Sequence, residues 1–231
     1  FKNKVGLTNE DGEFLSESRE IVLSWPYKDC ILEGGQTKED AKRNEVFWNE
    51  ILAPDEINRL IEPKVLTNFK HFDSIGEHDV ESISMDDNLI IKGNNLLALH
   101  SLKKKYAGKV KLIYIDPPYN TGSDSFGYND KFNQSTWLTF MQNRLSVAKK
   151  LLKDDGVVCV QCSFHQFAYL RVLMDDLFEK HLCDFNIQVR HPDRALTGDK
   201  EFNDIIEYIL IYSNNSDKRM PYKAVSYTHL R

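Results

Sequence analysis

A carboxylate, two prolines and a phenol follow one another at Asp116-Pro117-Pro118-Tyr119. Each proline fixes φ and has no N–H to donate, so the backbone is stiff and its carbonyls remain acceptors. Two acceptors, the Asp116 carboxylate and the Pro117 carbonyl, therefore stand beside one flat ring. That set suits a planar group with an exocyclic amine, such as adenine or cytosine. The same residue types also fit a plain strand-to-turn junction, because Asp-Pro commonly opens a turn. The surrounding elements decide between the two.

The apolar run Leu112-Ile113-Tyr114-Ile115 predicts a buried parallel strand. The polar run Asn120-Thr121-Gly122-Ser123-Asp124-Ser125 predicts a loop. A carboxylate at the carboxyl end of a parallel strand faces the crevice where such sheets bind ligands. Upstream, Leu89-Ile90-Ile91 reads as a short strand and Asn94 as the cap of a helix over 95–104. Gly93-Asn94 thus stands where backbone amides meet a ligand, or is simply a helix cap. Downstream, Ser135 caps a helix over 136–153, which Asp154-Asp155-Gly156 ends. A strand over 157–160, a helix over 164–179 and strands over 185–189 and 206–212 follow. Strand and helix alternate, as in a doubly wound α/β sheet. The chain before residue 80 differs: β-rich to 36, with a turn at 9–12 and a strand at 21–24. A helix over 37–52, a second from Pro54 and a polar linker over 66–87 complete it.

The tetrapeptide resembles the catalytic motif of amino-directed DNA methyltransferases. The likeness extends to Asn88-Leu89-Ile90-Ile91-Lys92-Gly93-Asn94-Asn95-Leu96-Leu97-Ala98-Leu99 with residues 111–122, and to residues 32–40 and 49–57. Together these resemble the modification subunit of type III restriction–modification systems. The resemblance implies an α/β fold: a partial doubly wound, Rossmann-like methyltransferase sheet over 81–231, behind a small N-terminal α+β extension over 1–80. It implies S-adenosyl-L-methionine as methyl donor and adenine N6 in double-stranded DNA as acceptor. Asp116, Pro117, Pro118 and Tyr119 would be catalytic. Asn94, Asp116, Pro117, Tyr119, Asn120 and Thr121 would line the cofactor. Many relatives carry Asp where this chain has Asn94, so that contact differs. The adenine amine is a poor nucleophile because its lone pair is delocalised. Two acceptors for its hydrogens favour a tetrahedral nitrogen and stabilise the positive charge that develops there. Tyr119 would stack on the base, which must be flipped out of the duplex.

Glycines refine the class. Such enzymes hold the donor with a glycine-rich loop, yet upstream the only adjacent pair is Gly34-Gly35, and beyond Gly156 only Gly198 remains. The permuted order, with the catalytic motif first, fits best. The chain is then expected to stop before the recognition domain and the glycine loop, and by itself to bind S-adenosyl-L-methionine weakly or not at all. Its start at Phe1 rather than Met is expected to lie inside the native N-terminus. Cytosine-N4 methylation, or a regulatory remnant without donor binding, are the alternatives. Ring-carbon methylation is rejected, because neither Cys159 nor Cys162 follows a proline. The resemblance further implies a homodimer of the full-length protein and a restriction subunit with helicase and nuclease activities.

Composition agrees. A chain of 231 residues with 41% hydrophobic and 28% charged residues is ordinary for a globular protein. No signal peptide opens it, and no apolar run approaches the roughly 20 residues of a membrane span. A cytoplasmic location, without membrane contact, is expected. The net charge of −5 argues against a chain that merely coats DNA. Lys103, Lys104, Lys105, Lys109 and Lys111 fit a basic face or a solvated helix end. Cys159-Val160-Gln161-Cys162 lacks the second ligand pair of a structural zinc site, so no metal is expected. Residues 161–166 depart from the acidic sequence of many relatives and are assigned no role.

Overall fold

The computed structural model describes residues 6–8, 22–34, 45–84, 86–120, 132–189 and 205–219. In chain order the elements are β1 (Gly6–Thr8), β2 (Val22–Ser24), β3 (Cys30–Glu33), β4 (Val46–Asn49), α1 (Pro54–Ile61), β5 (Lys70–Phe72), β6 (Glu77–Asp79), α2 (Asn95–Tyr106), β7 (Val110–Ile115), α3 (Gln134–Leu151), β8 (Leu152–Cys162), α4 (Phe164–Leu177), β9 (Lys180–Gln188) and β10 (Ile206–Ser213). They fall into two compact units. One holds the described residues of Trp25–Ala107 and residues 132–151; the other holds β1, β2, residues 108–120 and the described residues from Leu152 onward.

The first unit is organised by α3, whose Trp137, Leu138, Phe140, Met141, Leu145, Val147 and Ala148 are all buried. Apolar residues on every side of a helix require packing on every side, and β3 and α2 both pack on it. Its polar residues are used inward. Thr139 accepts from the Trp25 indole at 2.8 Å and donates to the Tyr27 carbonyl at 3.0 Å. Asn143 lies against β3: its Oδ1 accepts from the Leu32 N–H at 3.0 Å and its Nδ2 donates to the Cys30 carbonyl at 3.0 Å. One carboxamide thereby stands in for a neighbouring strand.

Four sequence expectations change here. Residues 46–49 are a strand rather than the end of a helix; residues 37–44 lie outside the described residues. Val46, Phe47 and Trp48 are β-branched or aromatic, and they pair antiparallel with β3, with the Trp48 indole donating to Glu33 at 2.6 Å. Residues 89–91 form no strand, and Ile90 is 98% exposed. A strand exists only by pairing, and among the described residues nothing pairs with them. The expected linker contains the β5–β6 hairpin, turned at Asp73, whose carboxylate accepts from the Ile75 and Gly76 N–H groups. Ser135 lies inside α3, not at its cap; the first turn closes on the Asn133 carbonyl at 2.9 Å from the Trp137 N–H.

The second unit is a mixed sheet of order β7-β8-β10-β9, with β7 parallel to β8 and β10 antiparallel to both β8 and β9. Asp154-Asp155-Gly156 does not separate helix from strand but lies within β8. Val110 pairs with Leu152 while Leu112 pairs with Val157, so the extra residues bulge out. A Cβ on Gly156 would meet the Lys153 carbonyl at 2.8 Å and Leu152 Cδ1 at 2.9 Å, so glycine is required there. Helix α4 packs on β8 and β10, burying Leu170, Leu173 and Met174 in the unit that also buries Val158, Val160, Cys162 and Leu210. The Tyr212 hydroxyl donates to Asp175 of α4 at 2.6 Å. The strand before the tetrapeptide is less buried than its apolar run predicts: Leu112 is 61% and Tyr114 54% exposed. Among the described residues β7 is the end strand and pairs on one side only.

Candidate active site

Strand β7 delivers the tetrapeptide to the sheet's edge. The ladder with β8 holds Ile115 opposite Val160, and the pairing ends where the prolines begin, since they cannot donate to it. The Asp116 side chain is exposed, Pro117 is buried, and Pro118 and Tyr119 are half-buried. Asn120 then takes φ 58°, a left-handed conformation that Asn tolerates better than most residues and that turns the chain sharply. Thr121 lies outside the described residues.

Side chains the sequence reading left aside meet the tetrapeptide. The Tyr119 hydroxyl donates to Glu207 Oε2 at 2.8 Å. Gln161 Nε2 donates to the same oxygen at 2.5 Å, and the Tyr114 hydroxyl donates to Gln161 Oε1. Register explains the meeting. Tyr114 lies opposite Cys159, and Gln161 opposite Ile209, so alternation puts Tyr114, Gln161 and Glu207 on one face. Burial, then hydrogen bonding to the Glu207 and Asp116 carboxylates, raises the Tyr119 phenol far above its ordinary value. Tyr119 is therefore neutral and a committed donor. Burial, and after it the charge of Asp116, raises the Tyr114 phenol as well. Gln161 thus has a structural place that its departure from relatives had denied it. The one signal for Glu207 in the sequence was a charge near the start of the otherwise apolar Ile206-Glu207-Tyr208-Ile209-Leu210-Ile211.

Asn94 belongs to the first unit and caps α2 as expected, its Oδ1 accepting from the Leu96 N–H at 3.0 Å. Gly93 before it has φ 150°, which a side chain would disfavour. With Oδ1 engaged in the cap, the Asn94 amide has its N–H donors to offer a ligand, where an Asp would offer an acceptor. Beneath it, Arg144 Nε donates to Asn95 Oδ1 at 2.7 Å and Nη1 to the Phe140 carbonyl at 2.9 Å. Burial pulls this guanidinium down to about 9. Cys159 and Cys162 are free thiols, and burial pushes Cys162 up to about 12. Among the described residues no group of three or more His, Cys, Asp or Glu is placed to hold a metal.

An exposed carboxylate, a stiff acceptor-rich backbone and a tethered phenol ring are suited to gripping a planar amine. The sequence model of the DNA methylase family, N6/N4 methyltransferases, matches residues 110–231. The chain is similar to the probable type III restriction-modification enzyme HindVI Mod subunit of Haemophilus influenzae, at 39% identity over 94% of this chain and 38% of that one. It is 36% identical to the type III restriction-modification enzyme EcoPI Mod subunit of Escherichia phage P1, over 56% of this chain and 25% of that one. Among solved structures, the PvuII DNA methyltransferase (cytosine-N4-specific) aligns at 16% identity with a TM-score of 0.40, over 52% of this chain and 48% of that one. The chain spans 38% and 25% of the lengths of the two Mod subunits. The family's match runs through β7, the tetrapeptide, β8 and β10, so the chain belongs to the DNA methylase family.

Proposed function

We propose that this chain carries the catalytic half of an S-adenosyl-L-methionine-dependent DNA methyltransferase that modifies adenine at N6 within a type III restriction–modification system. The observation that carries the reading is Asp116-Pro117-Pro118-Tyr119 at the carboxyl end of a parallel strand, within the span that matches the DNA methylase family. Similarity to two type III Mod subunits supports the system.

The residues act as follows. Asp116 accepts one amino hydrogen of a flipped adenine and the Pro117 carbonyl the other, which turns the nitrogen lone pair out of the ring plane and stabilises the charge it gains. The Asp116 carboxylate is exposed, and so can meet a base that arrives from solvent. Tyr119 stacks on the base. Asn94, whose Oδ1 is engaged in the α2 cap, and, in the other unit, Asp116, Pro117, Tyr119 and Asn120 are the residues assigned to the cofactor. S-adenosyl-L-methionine, when bound, supplies an electrophilic methyl group. With Thr121, these residues would hold it and align it with the base.

The test is methylation of duplex DNA by the full-length protein with S-adenosyl-L-methionine, followed by nucleoside analysis. N6-methyl-deoxyadenosine is the expected product. N4-methyl-deoxycytidine would reassign the base, and no methylated nucleoside would overturn the reading. The same protein should act in the cytoplasm as a homodimer and bind a restriction subunit carrying helicase and nuclease activities. No helix among the described residues is long and apolar enough to cross a membrane.

A further inference from the structure

We infer that Glu207 is a positioning residue for methyl transfer: by accepting the Tyr119 hydroxyl it fixes the ring against which the target base stacks. The inference rests on the reading of Asp116–Tyr119 as the base-binding tetrapeptide.

Tyr119 lies beyond the end of β7, where no ladder restrains it, and a phenol ring there has two free torsions. Stacking alone needs no hydroxyl, since a Phe ring offers the same face. The hydroxyl is nonetheless engaged, 2.8 Å from a carboxylate that is 88 residues away in sequence. A hydrogen bond to an ionised acceptor is short and roughly twice as strong as a neutral one. It therefore restricts the ring before a base arrives, and the ordering entropy is not charged to the binding step.

The carboxylate is itself held. Gln161 Nε2 donates to the same Glu207 oxygen at 2.5 Å, and the Tyr114 hydroxyl occupies the other end of that carboxamide, at Oε1. Tyr114 of β7, Gln161 of β8 and Glu207 of β10 thus form one row across three strands, ending on Tyr119. Each link has a fixed direction: Tyr114 donates to Gln161, Gln161 donates to Glu207, and Tyr119 donates to Glu207. The row explains why a glutamate sits within an apolar strand. An acid at 161 would place a second carboxylate against Glu207.

Single-turnover methylation of duplex DNA by the full-length protein tests this. Glu207→Ala should slow methyl transfer by roughly tenfold to a hundredfold while DNA affinity stays within about twofold, because the tether acts on geometry and not on capture. Glu207→Gln keeps an acceptor oxygen and should stay within about fivefold of wild type. Tyr119→Phe loses the bonds to both Glu207 and Asp116, so it should be at least as slow as Glu207→Ala, and the double variant should be no slower than Tyr119→Phe alone. A wild-type rate for Glu207→Ala, multiplicative losses in the double variant, or Glu207→Gln as slow as Glu207→Ala would each overturn the assignment. Asp116→Ala separates the two layers. If it abolishes methylation while Glu207→Ala is wild-type, only the Glu207 inference fails. If Asp116→Ala is fully active, the reading of the tetrapeptide fails. Should Glu207→Ala not fold, Glu207→Gln and Tyr119→Phe still decide.

Discussion

Replacing Asn143 by Leu should loosen the first unit at a single, measurable amide. The carboxamide makes two buried bonds to β3, at 3.0 Å to the Leu32 N–H and 3.0 Å to the Cys30 carbonyl. Leu has nearly the same volume but no polar atom, so both backbone groups lose their partner, at about 1–3 kcal/mol each. Burying the extra apolar surface returns about 1 kcal/mol. The net loss is about 1–5 kcal/mol, and at about 1.4 kcal/mol per factor of ten the Leu32 amide should exchange about fivefold faster or more. Hydrogen exchange read by mass spectrometry on the peptide covering β3 measures it. Asn143→Asp adds a sign test. Its carboxylate still accepts from Leu32 but sets an oxygen against the Cys30 carbonyl, so the folded state favours the protonated acid. Its folded pKa is raised, and stability should be retained at low pH and lost as pH rises through that value. Leu32 exchange within about threefold of wild type in Asn143→Leu would refute the reasoning, because β3 would then have satisfied its edge elsewhere.

Three further outcomes are expected. Asp116→Ala in the full-length protein should cut methylation by more than about a hundredfold with DNA binding retained, and activity within about tenfold of wild type would contradict its electrostatic role. His100 is buried, and burial, then Lys103 and Lys150, lowers it from 6.5 to about 4. The unfolded chain binds the proton first, so stability is full above about pH 6.5 and falls by up to about 3 kcal/mol as pH drops toward 4; His100→Gln should flatten that limb in thermal scans, and an unchanged limb would clear His100. Gly156→Ala should cost about 1–3 kcal/mol, seen as a lower melting temperature, because its Cβ meets the Lys153 carbonyl at 2.8 Å; an unchanged melting temperature would show that the bulge can relax.

Local pattern made much of the fold legible. Val110–Ile115, α2 with its Asn94 cap, and α4 follow from runs of apolar residues and capping chemistry that act within a few residues. What failed depended on distant partners. Val46–Asn49 has helical spacing, but the strand at Cys30–Glu33 claims it. Leu89-Ile90-Ile91 has strand composition and, among the described residues, no strand beside it. Asp154-Asp155-Gly156 carries stop signals that a register shift absorbs. The site divides the same way. Asp116-Pro117-Pro118-Tyr119 is contiguous and speaks for itself, whereas Glu207 and Gln161 reach Tyr119 only through the pairing of three strands. A lone charge in an apolar strand is the trace such residues leave.

The reversed direction of β10 bears on how the protein tolerates insertions. Because β10 runs against β7 and β8, its first residues, not its last, lie at the edge where those strands end. Glu207 is the second residue of β10, and the Val189 N–H to Ile205 carbonyl bond at 2.9 Å lies just ahead of it. Residues added immediately before Ile206 should therefore slide Glu207 away from Tyr119 and flip alternate side chains to the other face. Residues added after Ser213 emerge at the opposite edge and leave that register untouched. Length variation along this stretch is constrained at one end of a single strand and free at the other.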